Sequence, residues 1–314
     1  MPVPAMAKTT TESLAAFVAV AELSSFTGAA ARLQVSPSAV SQSIRALEQR
    51  LGVALLNRST RSVSLTEAGA RFLERIAAPL RELDAAAEDL GGEAGRPSGL
   101  LRLNVARAAY MTIMRPVIVA FLAAYPEIDV EMVIESGVVD IVARGFDAGI
   151  RFSDLVHRDM VAVPVGPALS AHVIASPGYI ARRGAPTHPK GLFDHDCIAF
   201  QHATSGQIER WAFARGEERF ELGIRGRLIV NDSTAMVQAV LDGAGIGYMT
   251  NGFIEGLFEE ERLVRLLADW SPPVPGFVLF YPNRRRAPRK LRALIDFLRA
   301  QRYPARPQTE ATLA

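Results

Sequence analysis

Apolar and polar positions follow a helical rhythm over most of the first ninety residues. Leu14, Phe17, Val18 and Ala21 share one stripe and predict a first helix, led by Thr10, Thr11 and Glu12 as start signals. After a break at "LSS", Ala29, Ala30 and Leu33 face inward on a short helix from about Thr27 to Leu33. Gly28 inside it costs up to ~1 kcal/mol against alanine, so packing must hold that element. The turn "QVSPS" leads into "SPSAVSQSIRALEQRLG", where Ser36 is an N-cap and Pro37 suits the first helical position. Val40, Ile44, Leu47 and Leu51 lie on its inward stripe. Ser38, Ser41, Gln42, Arg45 and Gln49 lie on the other, a face of short hydroxyls, amides and a guanidinium. Gly52 is a C-cap candidate.

In "VALLNRSTRSVSLTEAG", Val53 with Leu55 and Val63 with Leu65 alternate as strands do, and "NRSTR" reads as the turn between them. This predicts a two-stranded wing with Arg58 and Arg61 at or near its tip; the plainer alternative is a solvated hairpin. Thr66 caps a long helix running to about Leu90. Leu73, Ile76, Leu80, Leu83, Ala87 and Leu90 alternate spacings of three and four, an a/d seam that wants a partner helix unless the helix packs on its own domain. Pro79 should bend it. "GGEAGRPSG", Gly91 to Gly99, marks a joint.

Beyond the joint the period switches repeatedly between two and 3.6. "LLRLNV" predicts a strand, Ile113 to Tyr125 a helix, "DVEMVIE" a strand, "VVDIVARG" a short helix and "DAGIRF" a strand. That order implies a parallel sheet with covering helices. A second alternating unit begins near Ala171 with strand "AHVIAS" and helix "PGYIARRG". It continues through "CIAF", "FELGIRGRLIVND", a helix from Ser233 to Leu241 and "GIGYMT"; "GFVLFYP" and helix "RKLRALIDFLRA" close the fold. "YPARPQTEATLA" reads as a loose tail.

Charge changes the picture at one place. The chain of 314 residues has a net charge of only +2, yet Phe26 to Thr66 holds five arginines (Arg32, Arg45, Arg50, Arg58, Arg61) against a single acid, Glu48. Helix, short helix, tight turn, helix is the outline of a helix-turn-helix, and a local basic patch beside it fits a duplex. The face bearing Ser38, Ser41 and Gln42 can approach base edges and phosphates without crowding. A single cysteine, Cys197, excludes an intramolecular disulfide. "MPVPAMAKTT" lacks a signal-peptide core and no run is expected to approach a membrane span, so a cytoplasmic location is expected.

The run "SFTGAAARLQVSPSAVSQSIRALEQRLGVALLNRSTRSVSLTEAG" resembles the DNA-binding domain of LysR-type transcriptional regulators almost position by position, without gaps. "FLAAYPEIDVEMV", "GFDAGIRF", "VIASPGYIARRGAP" and "GAGIGYM" extend the likeness from Leu14 to about Leu298. The resemblance implies an α/β chain with an N-terminal all-α winged helix-turn-helix, a long linker helix and a C-terminal two-lobed, periplasmic-binding-protein-like effector domain. The expected boundaries are 1–66 for the winged domain, 67–98 for linker and hinge, and 99–302 for the effector domain, followed by a tail at 303–314. Lobe I takes about 99–165 and 273–302, and lobe II about 166–272. Carried over onto this sequence, Thr27, Pro37, Ser38, Ser41, Gln42, Arg45, Arg58 and Arg61 are the DNA-binding candidates. Gln42 stands where many relatives have arginine, and glutamine suits adenine. The implied partners are double-stranded promoter DNA, a small effector, and further copies of the chain as a dimer through the linker helices or a tetramer.

Open sheets bind ligands beyond the carboxyl ends of their strands. Three loops fit: Ala106 to Tyr110 with Arg107, Ala108 and Tyr110; the segment after "IAF" with His202 and Thr204; and Asn231 to Thr234 with Asp232 and Ser233. Arg151 and Phe152 join them at the crossover. Arg107 occupies a position that is usually apolar in the family, which suggests an anionic effector, most simply a carboxylate; the alternative has it pointing to solvent. No cofactor and no metal are expected. His188, His195 and His202 recur every seven residues, but Pro189 and Gly191 break any helix between the first two. Cys197 has no resolving partner, "GAGIG" lies in the wrong order for a dinucleotide loop, and "RRRAPRK" reads as a solvated helix start. A solute-binding protein or an enzyme are the rivals; the first ninety residues disfavour the former, and the lack of a nucleophile-base pair the latter.

Overall fold

A computed structural model describes residues 11–58, 63–91, 96–252, 254–283 and 287–301. The chain divides into two compact units, residues 1–93 with 142–145, and 94–141 with 146–314.

In the first unit, α1 (Thr11–Leu23), α2 (Phe26–Arg32) and α3 (Pro37–Leu51) bury Phe17, Val20, Ala29, Ala30, Val40, Ile44 and Leu47 in one core. The caps are side-chain made. Ser25 Oγ accepts from the Gly28 amide at 3.1 Å and Ser36 Oγ from the Ala39 amide at 3.2 Å. Gly52 closes α3 at φ 68°. Leu51, expected inward, is 38% exposed because α3 outruns the core by one turn. The wing is shorter than its alternation suggested: β1 (Leu56–Arg58) pairs antiparallel with β2 (Val63–Leu65). Val53 stays off the strand and is exposed, since Glu48 Oε1 takes the Leu55 and Leu56 amides at 2.9 and 3.1 Å and folds the chain back there.

Thr66 Oγ1 accepts from the Gly69 amide at 3.0 Å and starts α4 (Glu67–Gly91). Leu73 and Ile76, the first members of the seam, pack on the helix-turn-helix core beside Phe72, whose ring meets Phe17 at 5.7 Å. This half of the seam is a domain contact rather than a free dimer face. Leu83 is 59% exposed, while the side chains of Ala87 and Leu90 lie outside the described ones.

The second unit has two lobes. In lobe I, β3 (Gly99–Val105) lies parallel between β4 (Ile128–Ile134) and β5 (Ala148–Phe152). One helix follows β3: α5 (Arg107–Ala109), a π turn (Tyr110–Met114) and α6 (Arg115–Ala124). It starts six residues before the predicted Ile113. The stretch Arg107–Ala124 is also long and apolar enough to cross a membrane, at 18 residues and mean hydropathy 1.3, contrary to the expectation that no run approaches such a span. Here Ala109, Ile113, Met114, Val117 and Phe121 are buried in the lobe I core. "VVDIVARG" forms turns and no helix. Of its large apolar side chains only Ile141 is buried, Val139 and Val142 are half-buried and Val138 is exposed.

After β6 (Met160–Pro164) the chain enters lobe II. There β7 (Leu169–Ala175) is followed by α7 (Pro177–Arg183), β8 (Ile198–Phe200), the hairpin β9 (Arg210–Arg215) and β10 (Glu218–Gly223), and β11 (Leu228–Val230). Next come α8 (Ser233–Leu241), β12 (Gly247–Thr250), α9 (Glu255–Glu259), β13 (Val264–Leu266) and β14 (Pro273–Val274). The chain returns to lobe I through β15 (Phe277–Pro282), antiparallel to β5 and β6, and ends in α10 (Arg289–Ala300). The expectation of parallel sheets therefore holds for β4–β3–β5 and for β8–β11, whereas β12, β13 and β14 all run antiparallel to β7. The reason is connectivity: β12 follows β11 through α8 and does not cross over directly from β7. Lys290, in the run expected to be solvated, is buried and donates to the Leu100 carbonyl at 2.7 Å; residues 284–286 of that run and the tail from 302 lie outside the described residues.

Candidate functional site

On the first unit the polar stripe of α3 is outward. Pro37, Ser38, Gln42, Arg45 and Gln49 are exposed and Ser41 is half-buried, while Thr27 is exposed at the start of α2. Ser38 Oγ lies 2.9 Å from Ser36 Oγ. Two of the five local arginines are turned to structural work: Arg32 pairs with Glu22 at 2.6 Å, and Arg50 donates to Ser13 Oγ at 2.8 Å. Arg45 is thus the arginine that α3 presents outward. The Arg58 backbone pairs with Val63 in the wing; Arg61 lies outside the described residues.

The second unit holds a cavity of about 250 Å³ between its lobes. Of the effector candidates, Arg107, Ala108, Arg151, Phe152, His202 and Ser233 line it, and so do Glu209, Tyr248, Met249, Thr250 and Phe200. Tyr110 does not; it packs on the lobe I core. Most of the wall is apolar, with few polar groups converging on it, the usual makeup of a small-molecule site.

Arg151 is the most unusual group in the wall. It is 2% exposed, yet its Nε has no acceptor. Its Nη2 donates to Asn104 Oδ1 at 2.7 Å and to the Gly137 carbonyl at 3.3 Å, and its guanidinium lies 5.4 Å from the Phe280 ring centre. Gly149, two residues earlier on β5, makes room for that ring, because a Cβ there would stand 2.4 Å from Phe280 carbons. Asn104 passes the interaction on, donating to Glu135 Oε1 at 2.6 Å. Burial lowers the Arg151 pKa from its ordinary value, and the Glu135 charge opposes that shift.

Arg107 lines the cavity, but its Nε already has an acceptor, Asp232 Oδ2 at 3.0 Å. The sequence left effector or solvent as its partners; the folded chain supplies a carboxylate of its own. Asp232 also caps α8, its Oδ1 accepting from the Thr234 and Ala235 amides at 2.9 and 3.0 Å. Thr204 is outside the cavity wall as well. Its Oγ1 accepts from the Val138 amide at 2.7 Å, a second bond between the lobes.

Glu209 and Tyr248 were not legible as site residues. Tyr248 stacks on Trp211 at 5.2 Å and its hydroxyl donates to the Ala212 carbonyl at 2.8 Å, while burial raises its pKa. Glu209 is half-buried just before β9, and burial pushes its carboxyl up to about 7. A lone acid between Ile208 and the strand "RWAFAR" carries no local signal that it faces a cavity.

The motifs set aside earlier have structural placements. The Cys197 thiol is buried, donates to the Leu192 carbonyl at 3.5 Å and is pushed up to about 12 by burial, with Asp196 adding to the shift. His188 packs edge-on to Trp270 at 5.1 Å, and His195 Nδ1 lies 3.3 Å from the Tyr179 hydroxyl. Among the described residues no three metal-ligating side chains cluster. In "GAGIG", a Cβ on Gly245 would stand 2.3 Å from the Asp196 carbonyl, so this glycine serves close backbone packing.

Residues 94–302 match the family described as "LysR substrate binding domain", and residues 11–70 that described as "Bacterial regulatory helix-turn-helix protein, lysR family". The chain belongs to the LysR family of DNA-binding transcriptional regulators, with an effector-binding domain behind a helix-turn-helix. It is 41% identical over 285 residues, 91% of this chain and 93% of the other, to the uncharacterized HTH-type transcriptional regulator YcaN of Escherichia coli. It is 39% identical to the HTH-type transcriptional regulator PgrR of the same species, over 91% of this chain and 96% of that one. Among solved structures, the full-length Vibrio cholerae virulence activator AphB aligns at TM-score 0.61 and 26% identity, covering 93% of this chain and 99% of that one.

Proposed function

We propose that this protein is a cytoplasmic, non-enzymatic regulator that binds promoter DNA as a dimer or tetramer and responds to a small effector bearing a carboxylate. In this reading residues 1–66 grip the duplex, 67–98 join and pair the subunits, and 99–302 sense the effector. Pro37, Ser38, Ser41, Gln42 and Arg45 enter the major groove from α3, Thr27 adds a backbone contact, and Arg58 and Arg61 reach out from the wing. The exposure of Pro37, Ser38, Gln42 and Arg45 on α3 supports this, whereas Arg32 and Arg50 are engaged by Glu22 and Ser13.

The observation that carries the effector reading is the buried Arg151 with an unanswered Nε in the wall of a largely apolar interlobe cavity. A buried donor without an acceptor costs about 1–3 kcal/mol, and a guanidinium in a cavity wall is a natural partner for a carboxylate. Ala108, Phe152, His202 and Ser233 shape the remaining wall, and Arg107 with Asp232 and Thr204 hold the lobes around it. The test is a mobility shift on the protein's own upstream region with and without small acids. DNA binding that no acid changes, in wild type and Arg151→Gln alike, rejects the effector reading; binding no tighter than to random competitor rejects the regulator.

A further inference from the structure

The cavity holds two polar groups that the protein leaves unsatisfied, one on each lobe. Arg151 on β5 has no acceptor for Nε. Glu209, ahead of β9, has no hydrogen bond or ion pair to its carboxyl among the described residues, and burial raises its pKa to about 7. The other charges around the wall are accounted for: Arg107 is paired with Asp232, and Asp154 and His202 are exposed to water. The wall that holds both also includes the apolar side chains of Ala108, Phe152, Phe200 and Met249.

Charge balance narrows the occupant further. The Arg151 cation is already offset by Glu135, which reaches it through Asn104. A simple anion placed at Arg151 would therefore bring an uncompensated charge into a site that also holds the Glu209 carboxyl. In a low-dielectric site such an excess is unfavourable. A molecule carrying its own cation leaves the balance unchanged and gives Glu209 the counter-charge it lacks.

We propose that the effector is amphoteric, an amino acid or short peptide whose carboxylate meets Arg151, whose ammonium meets Glu209, and whose apolar body fills the space between. The inference rests on the cavity being the effector site and names the ligand class for it. Because the two contacts belong to different lobes, such a ligand ties them together, whereas an acid lacking the amine grips only one. The cavity volume, about 250 Å³, lies below the usual range for drug-sized ligands and suits a small molecule of this kind.

The test is titration calorimetry on the full chain with the common L-amino acids, their L-alanyl dipeptides and the matching deaminated acids, for instance L-phenylalanine against 3-phenylpropionate. An amino compound should bind at least about tenfold more tightly than its deaminated partner. Glu209→Gln, which keeps the shape and is expected to fold, should erase that preference; Arg151→Lys should weaken both kinds of ligand. If the deaminated acid binds wild type as well as the amino compound does, or if Glu209→Gln retains the preference, the inference is overturned while a carboxylate effector survives. If no compound binds, or if filling the cavity by Thr250→Trp leaves binding unchanged, the cavity is not the effector site and both readings fall.

Discussion

Arg107 and Asp232 are 125 positions apart in the chain, yet Nε of one donates to Oδ2 of the other at 3.0 Å. The first begins the helix after β3 in lobe I; the second caps α8 in lobe II. One carboxylate thus holds a helix start and a lobe-to-lobe contact together.

Removing that carboxylate separates the two roles. Asp232→Ala should lower stability by about 1–2 kcal/mol, chiefly through the lost cap, as measured by chemical denaturation. Asp232→Asn keeps an oxygen for the Thr234 and Ala235 amides and should lose less. The pair is about one-third exposed, at 37% and 34%, so its coupling in a double-mutant cycle with Arg107→Ala should stay below about 1 kcal/mol. A coupling far above that value would mean the lobes depend on this contact for folding.

The outward face of α3 should be separable from its inward face. Gln42→Ala and Arg45→Ala should weaken DNA binding in mobility shifts while thermal melting stays that of wild type. If Arg45 contacts a phosphate, its loss should reduce the salt slope by about one. Ile44→Ala, one position away and fully buried, should instead cost about 2–5 kcal/mol of stability.

The junction between wing and α4 tolerates little change. A Cβ on Gly69 would stand 2.0 Å from the Leu55 carbonyl oxygen, so Gly69→Ala should destabilise the first unit. Glu48→Ala leaves the Leu55 and Leu56 amides without their acceptor, worth about 1–3 kcal/mol. Both effects can be read by thermal melting, and wild-type melting of either variant would contradict this account of the junction.

Two titratable groups, one half-buried and one buried, should give stability opposite pH dependences. The Glu209 carboxyl is raised from 4.5 to about 7, so between those values the folded chain binds more protons than the unfolded one. Its contribution is complete below pH 4.5 and is lost as pH rises towards 7. His172, whose Nδ1 lies 3.2 Å from Ser271 Oγ, is lowered from 6.5 to about 4 by burial, with Arg265 adding to the shift. Its contribution is complete above 6.5 and is lost as pH falls towards 4. Denaturation of Glu209→Gln should therefore show a gain over wild type that grows with rising pH, and His172→Gln one that grows with falling pH.

Cys197 should be inert. A thiol pushed up to about 12 and covered by the lobe II core holds almost no thiolate at neutral pH. Thiol reagents should label it only after unfolding, and peroxide should leave DNA binding unchanged in wild type and Cys197→Ser alike. Rapid labelling of the native protein would refute this placement.

The predicted helices Ser233 to Leu241 and Arg289 to Ala300 match the structure at both ends. Each begins beside a strong local signal, a capping aspartate or a proline, and carries an unbroken apolar stripe. The same holds for α3. Where the signal was only a short apolar cluster, as in "VVDIVARG", turns formed instead of a helix. Arg107 to Ala109 looked like a loop because no side chain caps that helix start; the preceding Ala106 makes no such bond.

By itself the sequence determined the strongly signalled local elements such as α3, α8 and α10, the outward polar face of α3 and the family, because caps, periodicity and a long ungapped motif are properties of neighbouring residues. The tertiary structure alone decided that Arg107 meets Asp232, that β12 runs antiparallel to β7, that the first half of the α4 seam lies on its own domain, and that Glu209 faces Arg151's cavity. Those outcomes depend on which distant surfaces meet and what they exclude from water, and no spacing along the chain encodes that.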